Sequence, residues 1–163
     1  PPTLRFKQAD NPTIDSVNPM PIPTSAGTNY SRWKQIYLKC DTVPSTQVDN
    51  IRFYTDGGGF GTGIVVSVGL QFPVKNSGAS TGYEVADENS ELVAAHVGIT
   101  SKASTFNYTS GAPLSGPTIS EAGNIINAIG ETSNYLALSM EVSETASPGD
   151  LTDETFTFLY DEI

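Results

Sequence analysis

The most motif-like run in this sequence is Asp56-Gly57-Gly58-Gly59-Phe60-Gly61-Thr62-Gly63. Glycines at close spacing suit a nucleotide phosphate, because backbone without Cβ can approach a pyrophosphate. Thr62 stands where a dinucleotide fingerprint needs its third glycine, and no Gly-Lys-Ser/Thr follows to supply a phosphate-binding lysine. The run lies between two strand-like segments, so no helix N-terminus follows to receive an anion. It reads as a flexible glycine-rich loop that uses the positive φ values glycine permits. A second run, Asp87-Glu88-Asn89-Ser90-Glu91, gathers the oxygen ligands calcium takes. It lacks the glycine at position six and the glutamate at position twelve of an EF-hand loop, so a solvated turn is the plainer reading; Asp150, Asp153 and Glu154 form a similar weak case.

Nucleophilic chemistry is poorly provided for. The only histidine, His96, sits in Leu92-Val93-Ala94-Ala95-His96-Val97, and no serine, cysteine or second histidine is tied to it by a motif. The only cysteine, Cys40, excludes an internal disulfide and a cysteine-based zinc site, and reads as a buried small hydrophobe in a strand. Eighteen acidic residues leave some carboxylate pair at glycosidase distance in any fold, but no spacing selects one. The sequence therefore points away from an enzyme and identifies no cofactor. Aromatic residues offer a different chemistry: Trp33 and Tyr37 share a strand face, with Phe53 and Tyr54 nearby, as a platform for stacking on sugar would require. In a two-sheet protein one such face must be core, and Trp33 is expected there.

Composition narrows the partners. Charged residues make up only 16% and hydrophobic residues 37%, which excludes a coiled coil and a fully disordered chain. No run of about 18 apolar residues exists to cross a membrane, and no apolar leader precedes Leu4. A net charge of −10 argues against nucleic acid, whose phosphates require clustered Lys and Arg. The charge is also unevenly placed. Residues 1–82 carry 7 basic and 5 acidic side chains, whereas residues 83–163 carry 1 basic and 13 acidic. Solvated acidic loops account for this, and so would head-to-tail association. The sequons at Asn29 and Asn107 are read as coincidental.

The elements that must position these residues are strands. Six of eleven prolines fall within residues 1–23, so Asn18-Pro19-Met20-Pro21-Ile22-Pro23 is expected to be extended. With a short strand at Thr3–Gln8, residues 1–23 form an N-terminal arm ahead of a single domain over 24–163. From Ser31 onward the apolar period is two: Arg32–Cys40, Val48–Thr55, Gly63–Phe72, Tyr135–Val142 and Phe156–Tyr160 all alternate, with the turn Ser147-Pro148-Gly149-Asp150 between the last two. Ser120–Gly130 fits a short helix and a strand equally well. Short strands with turn signals between them predict an all-β antiparallel β-sandwich, Ig-like or jelly-roll-like.

The proline-rich arm, the Ser/Thr/Asn/Gly-rich strand grammar and a closing hairpin of Tyr135–Val142 with Phe156–Ile163 together resemble small β-sandwich structural proteins of tailed-phage virions, particularly head decoration or auxiliary proteins. The resemblance implies a non-enzymatic virion protein that forms trimers or other homo-oligomers and binds the major capsid protein. Leu4, Phe6, Pro19, Pro21, Ile22 and Pro23 would be the arm's partner-binding residues, donating extended backbone to an exposed sheet edge. A carbohydrate-binding sandwich with a calcium site, and a tail or fibre attachment protein, are the alternatives.

Overall fold

The computed structural model describes residues 19–31, 33–71, 99–116 and 125–163. They form an antiparallel β-sandwich of two sheets. Strand β1 is Thr28–Tyr30, β2 Lys34–Ile36, β3 Val48–Tyr54, β4 Ile64–Gln71, β5 Ile99–Ser104, β6 Leu114–Ser115, β7 Tyr135–Ser143 and β8 Thr157–Glu162. A single 3₁₀ turn, Thr105–Asn107, is the only helical element among the described residues. The larger sheet runs β1-β7-β4-β5, with β2 also pairing β7, and the smaller runs β6-β3-β8.

The core lies where the period-two faces meet. Val66, Val68 and Leu70 from β4 and Leu136, Leu138, Met140 and Val142 from β7 pack against Phe53 and Leu114 of the smaller sheet. A second cluster joins Ile51 to Ile126, with Leu38, Cys40, Val48 and Phe158 against it. Trp33 is buried, as expected of the largest aromatic.

Three strand pairings hold one extra residue each: one lies in β5 opposite β4, between Thr100 and Ala103, one opposite β7 and one in β3. Tyr30 pairs with Glu141 and Lys34 with Leu138, so Ser31, residue 32 and Trp33 face only two residues of β7. The buried Ser31 hydroxyl accepts a hydrogen bond from the Met140 N–H at 2.9 Å, and Ser31 N–H donates to the Met140 carbonyl at 2.9 Å. The expected strand Arg32–Cys40 is thus shortened to Lys34–Ile36, with β1 ahead of it across this bulge. In β3 the extra residue falls between Asp49 and Arg52, where Asn50 adopts φ 48°. Asparagine tolerates that left-handed geometry better than most residues.

The expected closing hairpin is corrected by the pairing. β7 is flanked by β4 on one side and by β1 and β2 on the other, leaving it no free edge. β8 pairs β3 in the opposite sheet, where Phe156 and Phe158 close on Phe53 with ring centroids 5.7 and 5.5 Å away. Residues 144–156 therefore cross between sheets. In the segment that fits helix or strand, residues 125–130 form a bridge from Ile126 to Val48 followed by a turn at Gly130. Ile129 is exposed, so it does not pair with Ile125.

Candidate functional site

The glycine loop links β3 to β4 and takes positive φ at Gly59, Gly61 and Gly63. Only glycine fits at position 63, because a Cβ there would run into the Ala146 backbone nitrogen. Asp56 accepts the Ser110 N–H at 2.9 Å and Thr55 the Gly57 N–H at 3.2 Å, so the loop's polar start is engaged within the protein. Asp87–Glu91 and His96 lie outside the described residues. Among the described residues no three His, Cys, Asp or Glu side chains come together as metal ligands.

The aromatic platform is dispersed. Trp33 and Phe53 are buried, while Tyr37 is exposed and stacks on the buried Tyr135 at 4.6 Å. Burial pushes the Tyr135 phenol up from its ordinary value, with the neighbouring Tyr37 adding to the effect. Cys40 is half-buried, lies outside the named strands, and its thiol donates to the Thr42 carbonyl at 3.2 Å.

One cluster that the sequence did not single out sits on the outer face of the larger sheet. Glu141 Oε1 accepts from the Ser67 hydroxyl and lies 3.5 Å from Lys102 Nζ. The pair is mostly shielded, with side chains 22% and 18% exposed. Its geometry neutralises a carboxylate across three neighbouring strands.

β8 is one of the edge strands. Among the described residues β8 pairs with β3 alone. Phe158 turns inward, and the same face continues to Tyr160 and Glu162, which line a shallow groove of about 350 Å³ with Leu38, Cys40, Val43 and Ile126. The reverse face carries Leu159 and Asp161. Tyr160 is 47% exposed, Leu159 40% and Val43 53%. Asp161 accepts from Asn50 Nδ2 at 2.7 Å and from Arg52 at 2.9 Å, which fixes the β3 bulge beneath the edge. At the groove's rim Lys39 lies 3.0 Å from Asp41, and hydrogen bonding and charge from that carboxylate hold the ammonium above its ordinary pKa. Polar groups here serve local geometry, and the apolar groups face outward.

Of the arm residues expected to bind a partner, Leu4 and Phe6 lie outside the described residues. Pro19 and Pro21 are exposed, whereas Ile22 and Pro23 are half-buried. Met20 and Ile22 pack against the main core, and Asn29 Nδ2 donates to the Pro21 carbonyl at 2.9 Å. The proline-rich stretch is therefore seated on the sandwich that follows it. Sequence patterning identified β8 as a strand but not its neighbours, and the groove draws on four separated segments that no local motif marks.

No protein-family model, curated protein or solved structure matches this chain.

Proposed function

We propose that this protein is a non-enzymatic structural protein of a virion, a decoration or auxiliary protein that stabilises a shell by joining its neighbours. The observation that carries the assembly role is the edge strand β8, which exposes Leu159 and Tyr160 beside an apolar groove. Soluble proteins blunt such edges with proline, lysine or a covering element. β8 contains neither proline nor lysine; Asp161 and Glu162 charge its end, and Leu159 with Tyr160 is the stretch open to a partner. The virion setting rests on the resemblance of the arm and strand grammar to tailed-phage head proteins, and the major capsid protein is the partner it implies.

The test is light scattering after size exclusion on the full chain and on a variant lacking residues 1–18. The cut falls before Met20 because Met20 and Ile22 pack on the core. The proposal expects a trimer or other closed oligomer that becomes a monomer on truncation. An unchanged mass after truncation overturns the arm's role in assembly.

A further inference from the structure

We infer that β8 and the groove beside it receive residues Thr3–Gln8 of a second copy of this chain as an added strand. This inference rests on the assembly role proposed above and identifies where on the sandwich the arm docks.

The occupant is chosen by a match on two faces. In Thr3-Leu4-Arg5-Phe6-Lys7-Gln8, extended backbone places Leu4 and Phe6 on one side and Arg5 and Lys7 on the other. The edge offers a corresponding pair of surfaces. On one side Tyr160 opens into the apolar groove with Leu38 and Val43; on the other, Asp161 stands in register with Asp49. A strand added with Leu4 and Phe6 over the groove brings Arg5 and Lys7 to the side of those carboxylates. On that side Asp49 and Asp161 outnumber Arg52, while Asp41, Glu162 and Lys39 line the groove side. Strand addition supplies main-chain hydrogen bonds to an edge that, among the described residues, is paired on one side only, while alternate side chains set register.

A second copy is favoured over the same chain by how the arm leaves its domain. Pro19, Pro21 and Pro23 fix φ along the stretch, while Met20, Ile22 and the Asn29–Pro21 contact pin it to its own sandwich. Residues 9–18 then span roughly 30 Å when extended, comparable with the domain itself. A stiff departure followed by such a reach delivers the strand to a neighbour. The weakly basic first half and strongly acidic second half of the chain complement each other in that head-to-tail arrangement.

Cys40 lines the groove and is the only cysteine, so it serves as a built-in trap. Single cysteines are placed at each position from 3 to 8 of the full chain, mildly oxidised, and resolved on non-reducing gels. Leu4→Cys and Phe6→Cys are expected to give intermolecular cross-links, several-fold above Arg5→Cys and Lys7→Cys and lost with Cys40→Ser. Uniform trapping, trapping no greater than in the native chain, or disulfides confined to monomers overturns the inference. Because those replacements remove the anchors themselves, Tyr160→Arg provides a second reading. It is expected to weaken self-association at least tenfold with an unchanged melting temperature. An oligomer that is lost on deleting residues 1–18 but survives Tyr160→Arg and never traps Cys40 refutes β8 as the receptor and leaves arm-driven assembly standing. A mass unaffected by the deletion, or a chain monomeric from the outset, overturns both.

Discussion

The two sheets of the sandwich use the same alternating grammar to opposite ends. In the larger sheet β4 and β7 are enclosed on both faces: Val66, Val68, Leu136 and Leu138 point to the core, while Ser67, Ala137 and Ser139 on the other face are also buried. In the smaller sheet β3 has a strand on each side but buries one face only, through Ile51 and Phe53, and β8 is exposed from Leu159 to Glu162. Burial on both faces leaves the first sheet little surface to offer. One-sided burial leaves the second sheet an edge able to take a partner. The difference assigns stability chiefly to β4 and β7, and the association proposed above is placed at β8.

The largest effect that separates them comes from truncating one leucine in each. Leu138 is fully buried at the centre of β7, so Leu138→Ala is expected to cost about 2–5 kcal/mol through lost transfer energy and the cavity left behind. Leu159→Ala on β8 is expected to stay within about 0.5 kcal/mol, as surface replacements do. Urea denaturation of both variants decides it, and comparable losses would end the division between the sheets. A loss of 2–5 kcal/mol is large against the 5–15 kcal/mol typical of a folded domain.

The next effect concerns how each sheet holds its bulge. In the larger sheet the Ser31 hydroxyl is fully buried and takes the Met140 N–H. Ser31→Ala leaves that donor without its acceptor, and a loss of about 1–3 kcal/mol is expected in denaturation experiments. In the smaller sheet Asn50 holds φ 48° and bonds the exposed Asp161. Asn50→Ala keeps a Cβ in left-handed backbone but loses the side chain that makes that geometry tolerable, and removes the bond, at about 1–2 kcal/mol. Asn50→Gly removes the bond but keeps the geometry accessible, so it is expected to cost less than Asn50→Ala. If glycine costs as much as alanine, the lost hydrogen bond, common to both, and not the backbone governs that bulge.

The faces of these strands were legible in the sequence, but their neighbours were not. Alternation at Leu136, Leu138, Met140 and Val142, and again at Phe156 and Phe158, states which residues turn inward. It says nothing of which strand lies alongside, so β7 and β8 read as a hairpin although they stand in opposite sheets. The second buried face of β7 was hidden because Ala137 and Ser139 are small and carry no apolar signal. Two of the three bulges escaped notice because the residues that stabilise them, Ser31 with Met140 and Asn50 with Asp161, are more than 100 positions apart in sequence. The groove has the same origin: Leu38, Val48, Ile126 and Tyr160 meet only after two sheets have closed.

The smallest effect tests the place where the larger sheet behaves like the smaller one. Where the chain enters β1, the Glu144 carboxylate accepts the Gly27 N–H at 3.2 Å, while the Glu144 N–H donates to the Gly27 carbonyl at 3.3 Å. The hydrogen bond from Gly27, followed by that from its own backbone, holds the Glu144 carboxyl below its ordinary value of 4.5. The folded form therefore loses this proton more readily than the unfolded form. Its contribution to stability is complete above pH 4.5 and disappears as the pH falls through the depressed folded-state value. The group is open to solvent, which screens the contact. Glu144→Gln is accordingly expected to lower the urea midpoint slightly at neutral pH, with the gap from the native chain closing in acid. A gap that stays constant or widens below pH 4.5 would mean that the carboxylate's charge does not secure β1, and that this margin of the larger sheet is held by its backbone pairing alone.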